Sequence, residues 1–142
     1  MGTPIQSIYD TFIQKVDEDL TGKESLIFGY LNTAISKCYK ICIHSLVYVL
    51  DTPIVPATVS YDGVFNDILD IDEIELISMW MLYEHRGKKE SYLLSLKREI
   101  STKDFNSLPN KKQELDGIQN SMRLLKEDIK ELSQQFNTYK YN

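Results

Sequence analysis

Residues 115–139 read LDGIQNSMRLLKEDIKELSQQFNTY and hold an unbroken heptad. Leu115, Ile118, Met122, Leu125, Ile129, Leu132, Phe136 and Tyr139 follow one another at spacings alternating between 3 and 4. That is an a/d seam, with Leu115, Met122, Ile129 and Phe136 at a. It predicts one long amphipathic helix over residues 111–139, roughly 40 Å at about 1.5 Å per residue. A helix of that length exceeds what a compact domain of this size needs, and it points to an elongated molecule that touches other chains. Two packings give the same stripe: an antiparallel bundle within the subunit and its neighbours, or a free parallel coiled coil. Gln119, Lys126, Ser133 and Lys140 at e face Ser121, Asp128 and Gln135 at g. Charge there does little to specify a zipper partner, which favours the bundle.

Working outward, the rest of the chain reads as shorter helices around one ambiguous stretch. Ile8, Phe12 and Val16 predict a helix over 5–16, opened by Thr3-Pro4. Ile27, Leu31, Ala34, Ile35, Cys38, Ile41 and Cys42 predict a second from Lys23 to about His44, kept slim by Gly29 and Ala34. Residues 41–61 are rich in β-branched and aromatic residues and carry Pro53 and Pro56. A small hairpin of 43–50 with 55–61, or an extended loop, fits them. A third helix, 72–85, is apolar nearly all round and ends at Gly87. A fourth, 89–100, buries Leu93, Leu96 and Ile100, and 101–110 is a loop. The expected fold class is mainly α: a single domain, 1–142, built as a helical bundle with one long C-terminal helix and a small β-hairpin or extended loop around residues 45–61.

Composition bounds the function. A chain of 142 residues, 42% hydrophobic and 26% charged, is ordinary globular material. No apolar run approaches the ~20 residues of a membrane span, so no membrane partner is expected. The N-terminus lacks the pattern of a signal peptide, and Gln6 stands where myristoylation wants Ser or Thr. Cys38 and Cys42, four apart, suit reduced thiols on one helix face, which points to synthesis in a cell interior. The net charge of −5 is unevenly spread. Residues 1–50 carry −1, residues 51–85 carry −8 with no Lys or Arg, and residues 86–142 carry +4. The acidic block argues against the middle of the chain gripping phosphates.

Catalytic patterns are missing. There is no Gly-rich phosphate loop, no G-x-S-x-G elbow and no H-E-x-x-H, so no enzyme is expected and no cofactor. The nearest metal pattern, Cys38-x3-Cys42-x-His44 with His85 as a fourth ligand, lacks the second pair a zinc site wants, and buried core cysteines are the expectation. The acidic run 67–73 lacks the spacing and Gly of a calcium loop. The end of the chain carries Phe136, Tyr139, Lys140 and Tyr141, an aromatic group suited to docking a partner.

SIYDTFIQKV (7–16), an acidic break and ESLIFGYLNTAISKC (24–38) together resemble the start of the adaptor proteins of tailed bacteriophages. IDEIELISMWMLYEH (71–85) is similar to their central buried helix, and Asp104-Phe105 with the charged helix ending in FNTYKY (136–141) resembles their close. Residues 47–61 depart from the simple helical pattern of that family. The resemblance implies a structural head–tail connector of the virion neck, made in the host cytoplasm. It implies a homo-oligomeric ring, typically of twelve subunits, beneath the portal protein. Such a ring extends the DNA channel, lets DNA pass without specific binding, and offers a platform for the stopper or tail component. No catalytic residues come with it. A small regulatory module that dimerises through the C-terminal helix is the alternative.

Overall fold

The computed structural model describes residues 2–53, 59–100 and 102–141, with side chains as far as Phe136 except at Thr102 and Pro109. It is mainly helical, at 67% helix, with one small antiparallel sheet. The order is α1 (Ile5–Gln14), α2 (Glu24–Cys38), β1 (Tyr48–Leu50), β2 (Gly63–Phe65), α3 (Ile71–Glu99), α4 (Thr102–Asn106) and α5 (Pro109–Tyr141).

The frame is a hairpin of two long helices. At about 1.5 Å per residue, α3 spans roughly 43 Å and α5 roughly 50 Å. The a/d seam of α5 packs on α3 of the same chain: Leu115, Met122, Leu125, Ile129 and Phe136 are buried, and Ile118 and Leu132 are half-buried. On the near half of this frame, α1 and α2 pack against α3 and close the main core around Phe12, Leu31, Leu76, Ile77 and Met81. Each such side chain contributes roughly 1.5–3 kcal/mol on leaving water. The far end of the hairpin has a separate small cluster of Leu93, Phe105 and Leu115, flanked by Leu94, Leu96, Ile100 and Ile118. Phe105 comes from α4, a helix of one turn inside the stretch expected to be a plain loop.

Several boundaries differ from the sequence expectation, each for a physical reason. The third and fourth helices are one, because α3 runs straight through Gly87. Gly87 lies against Met122 of α5, and packing of the whole α3–α5 face outweighs the roughly 1 kcal/mol helix penalty of one glycine. Helix α2 stops at Cys38, not near His44. Tyr39 and Cys42 N–H still donate to Ile35 and Cys38 C=O, but His44 N–H donates to the Glu73 carboxylate (3.0 Å) and Ser45 N–H to Asp67 (2.8 Å). Gly29 does not admit a second backbone; it faces open space.

The sheet forms from a partner other than the one expected. Tyr48 pairs with Phe65, Val49 with Val64 and Leu50 with Gly63. Of the expected second strand, 55–58 lies outside the described residues and 59–61 forms no strand. Gly63 is required by this pairing, since a Cβ there would sit 2.2 Å from the carbonyl oxygen of Val49. Beyond β2, Thr3 and Pro4 run alongside: Phe65 N–H donates to Thr3 C=O (2.8 Å) and Thr3 N–H to Asp67 C=O (3.1 Å).

Candidate interaction surfaces

A buried carboxylate organises the sheet end of the molecule. Glu73, in the first turn of α3, is fully buried. Its oxygens accept from the amides of Asp70 (3.0 Å) and His44 (3.0 Å), and from His44 Nδ1 (2.5 Å). Burial alone would raise the Glu73 pKa, but those amide and imidazole hydrogen bonds hold it below the usual carboxylate value. The same hydrogen bond, donated by His44 to Glu73, raises His44 above the ordinary imidazole value. The Cys42 thiol is pushed strongly up, by its hydrogen bond with Cys38 and then by burial and the nearby Glu73 charge. Cys42 is therefore a buried, protonated thiol, and Cys38 beside it is a free, buried core cysteine.

The fourth ligand of the Cys/Cys/His pattern does not join it. His85 lies far down α3, edge-on to Phe12 and Tyr30, with Tyr30 Oη 3.2 Å from its Nδ1. Burial lowers its pKa, leaving a neutral ring that serves packing. Among the described residues the group that brings three metal-ligand types together is His44, Asp70 and Glu73. The Glu73 and His44 atoms in it are already committed to each other and to backbone amides, which accounts for the cluster without an ion.

The predicted seam residues Leu115, Ile118, Met122, Leu125, Ile129 and Leu132 are brought together along one face, and α3 covers it. Among the described residues that leaves no exposed a/d stripe for a zipper between chains. Phe136 is a correction within the aromatic tail. It is 3% exposed, belongs to the main core, and lines a groove with Ile43, Leu69 and Ile71. The side chains of Tyr139, Lys140 and Tyr141 lie outside the described residues, although the helix itself continues beyond Phe136 to Tyr141.

One surface escaped the sequence reading. Val47, Val49 and Val64 stand on the outer face of the sheet, with Val49 65% and Val64 40% exposed, while Tyr48 and Phe65 on the other face turn inward. Ile68, after β2, and Ile71, at the start of α3, are also exposed. The alternation Val47-Tyr48-Val49-Leu50 was the available signal, but which of its faces is covered depends on distant packing. Glu73 was similarly hidden: Asp70-x-x-Glu73 is a capping-box pattern, and its burial comes with the approach of the distant segment that carries Cys42 and His44.

No helix among the described residues is long and apolar enough to cross a membrane. Comparison with protein-family models, with curated proteins and with solved structures finds no match to this chain.

Proposed function

We propose that this chain is a structural ring subunit of a bacteriophage neck: an adaptor that sits beneath the portal, extends the DNA channel and carries the stopper or tail component. The observation that carries the reading is the α3–α5 hairpin. Its apolar seam is satisfied within the subunit, so a rod some 40–50 Å long at about 1.5 Å per residue presents polar faces to neighbours. The rod is electrically polar. Residues 51–85 bring eight acids and no Lys or Arg to the sheet end and near half of α3, whereas residues 86–112 bring eight basic and three acidic side chains to the far end. Such a subunit has distinct axial ends and long lateral sides, as a ring component requires. An acidic lumen would repel phosphate and let DNA slide.

Co-sedimentation with purified portal rings tests the reading. The full chain is expected to pellet with portal at a fixed ratio. A variant lacking 138–142 is expected to keep its helicity and melting but lose the portal. Full-length chain that never co-sediments would overturn the proposal.

A further inference from the structure

The open edge of the two-stranded sheet is a site that nothing above assigns. In this antiparallel pair Val47, Val49 and Asp51 bond to β2 and the residues flanking it: Asn66 N–H donates to Val47 C=O (2.9 Å) and Asp51 N–H to Asp62 C=O (2.9 Å). The alternate residues, Tyr48 and Leu50, therefore aim their N–H and C=O away from β2. The corresponding outer edge of β2 is sealed by Thr3 and Pro4, whereas no described residue pairs with the outer edge of β1. Next to this edge lies the exposed face of Val47, Val49 and Val64.

The surroundings say what would fit. Asp51 and Asp62 are exposed and face each other at the end of the strand pair, and among the described residues neither is in an ion pair. A second copy pairing edge to edge would set these acids against their own kind, which opposes self-association. An extended segment with β-branched side chains and flanking lysines or arginines meets every feature. Its backbone completes the ladder, alternate side chains cover the valines, and its cations answer the aspartates. We infer that β1 accepts such a basic, extended segment of a partner protein as an added strand. The inference rests on the sheet alone and is independent of the neck reading.

The test uses the full chain and a synthetic peptide of alternating valine and threonine flanked by lysine pairs. Amide NMR titration is expected to show saturable shifts centred on residues 47–50, with slowed hydrogen exchange at the Tyr48 and Leu50 amides. Affinity should weaken several-fold as salt rises and vanish when the peptide's pairing amides are N-methylated. Val49→Lys, at an exposed position, should keep the fold and weaken binding several-fold. Three results would overturn the inference: no saturable shifts at the sheet, equal binding by a glutamate-flanked peptide, or the same amides becoming protected on raising protein concentration alone. The last would assign the edge to a second copy.

Discussion

Glu73 and His44 hold the loop after α2 onto the first turn of α3, and their titration carries a signature. The depressed Glu73 pKa stabilises the fold above the ordinary carboxylate range, and that contribution is lost as pH falls through its lowered value. The raised His44 pKa contributes fully below the ordinary imidazole value of 6.5, and this is lost as pH rises through its higher folded value. Between those limits both contributions are present. Thermal melts from pH 4 to 9 should therefore show His44→Gln destabilised most near pH 5–6 and converging on the parent chain at alkaline pH. Glu73→Gln should cost about 3 kcal/mol in the same window, since it unpairs groups around a buried site. Glycines give the opposite sign. A Cβ at Gly87 would meet Met122 at an ordinary 3.7 Å, and at Gly29 it would meet nothing. Gly29→Ala and Gly87→Ala should each raise stability by about 0.5–1 kcal/mol in denaturant melts. Gly63→Ala should destabilise, because its neighbour is backbone that cannot yield.

At the scale of elements, the long helix was legible because a heptad is a local pattern: Leu115 to Phe136 needed no knowledge of the partner to mark a buried stripe. The break at Gly87 was misread for the same reason. Propensity at one residue is visible locally, while the α5 face that carries α3 across it is not. The strand partner was misplaced because 63–65 is a three-residue run opened by a glycine, too short to mark a strand locally, and its pairing is set by the approach of Val49 to a residue lacking a Cβ. Burial of Glu73 and the open edge of β1 likewise arise from contacts between segments distant in sequence. The two clusters along the hairpin predict uneven stability. Leu125→Asp places a charge in the main seam and should cost more than about 3 kcal/mol, seen as a large drop in melting temperature. Phe105→Ala removes the centre of the small far cluster. It should speed hydrogen exchange over the far halves of α3 and α5 far more than it changes exchange in α1 and α2.

For the whole molecule, the arrangement is a rod with a body at one end. The main core, the sheet and the acids lie together, and the basic far end stands on a small cluster that holds, among the described residues, three buried side chains. The ties from α1 and α2 to α3, Lys15 to Glu75 (2.5 Å) and Lys37 to Glu84, are partly exposed pairs that orient the helices more than they stabilise them. Apolar packing holds the two long helices together, leaving charge and the sheet end to meet other molecules. Native mass spectrometry of the purified chain, alone and with portal rings added, tests the proposed role most directly. The account predicts a portal complex carrying a closed ring of this chain, at a single stoichiometry. A chain that remains monomeric or dimeric beside intact portal rings would contradict it.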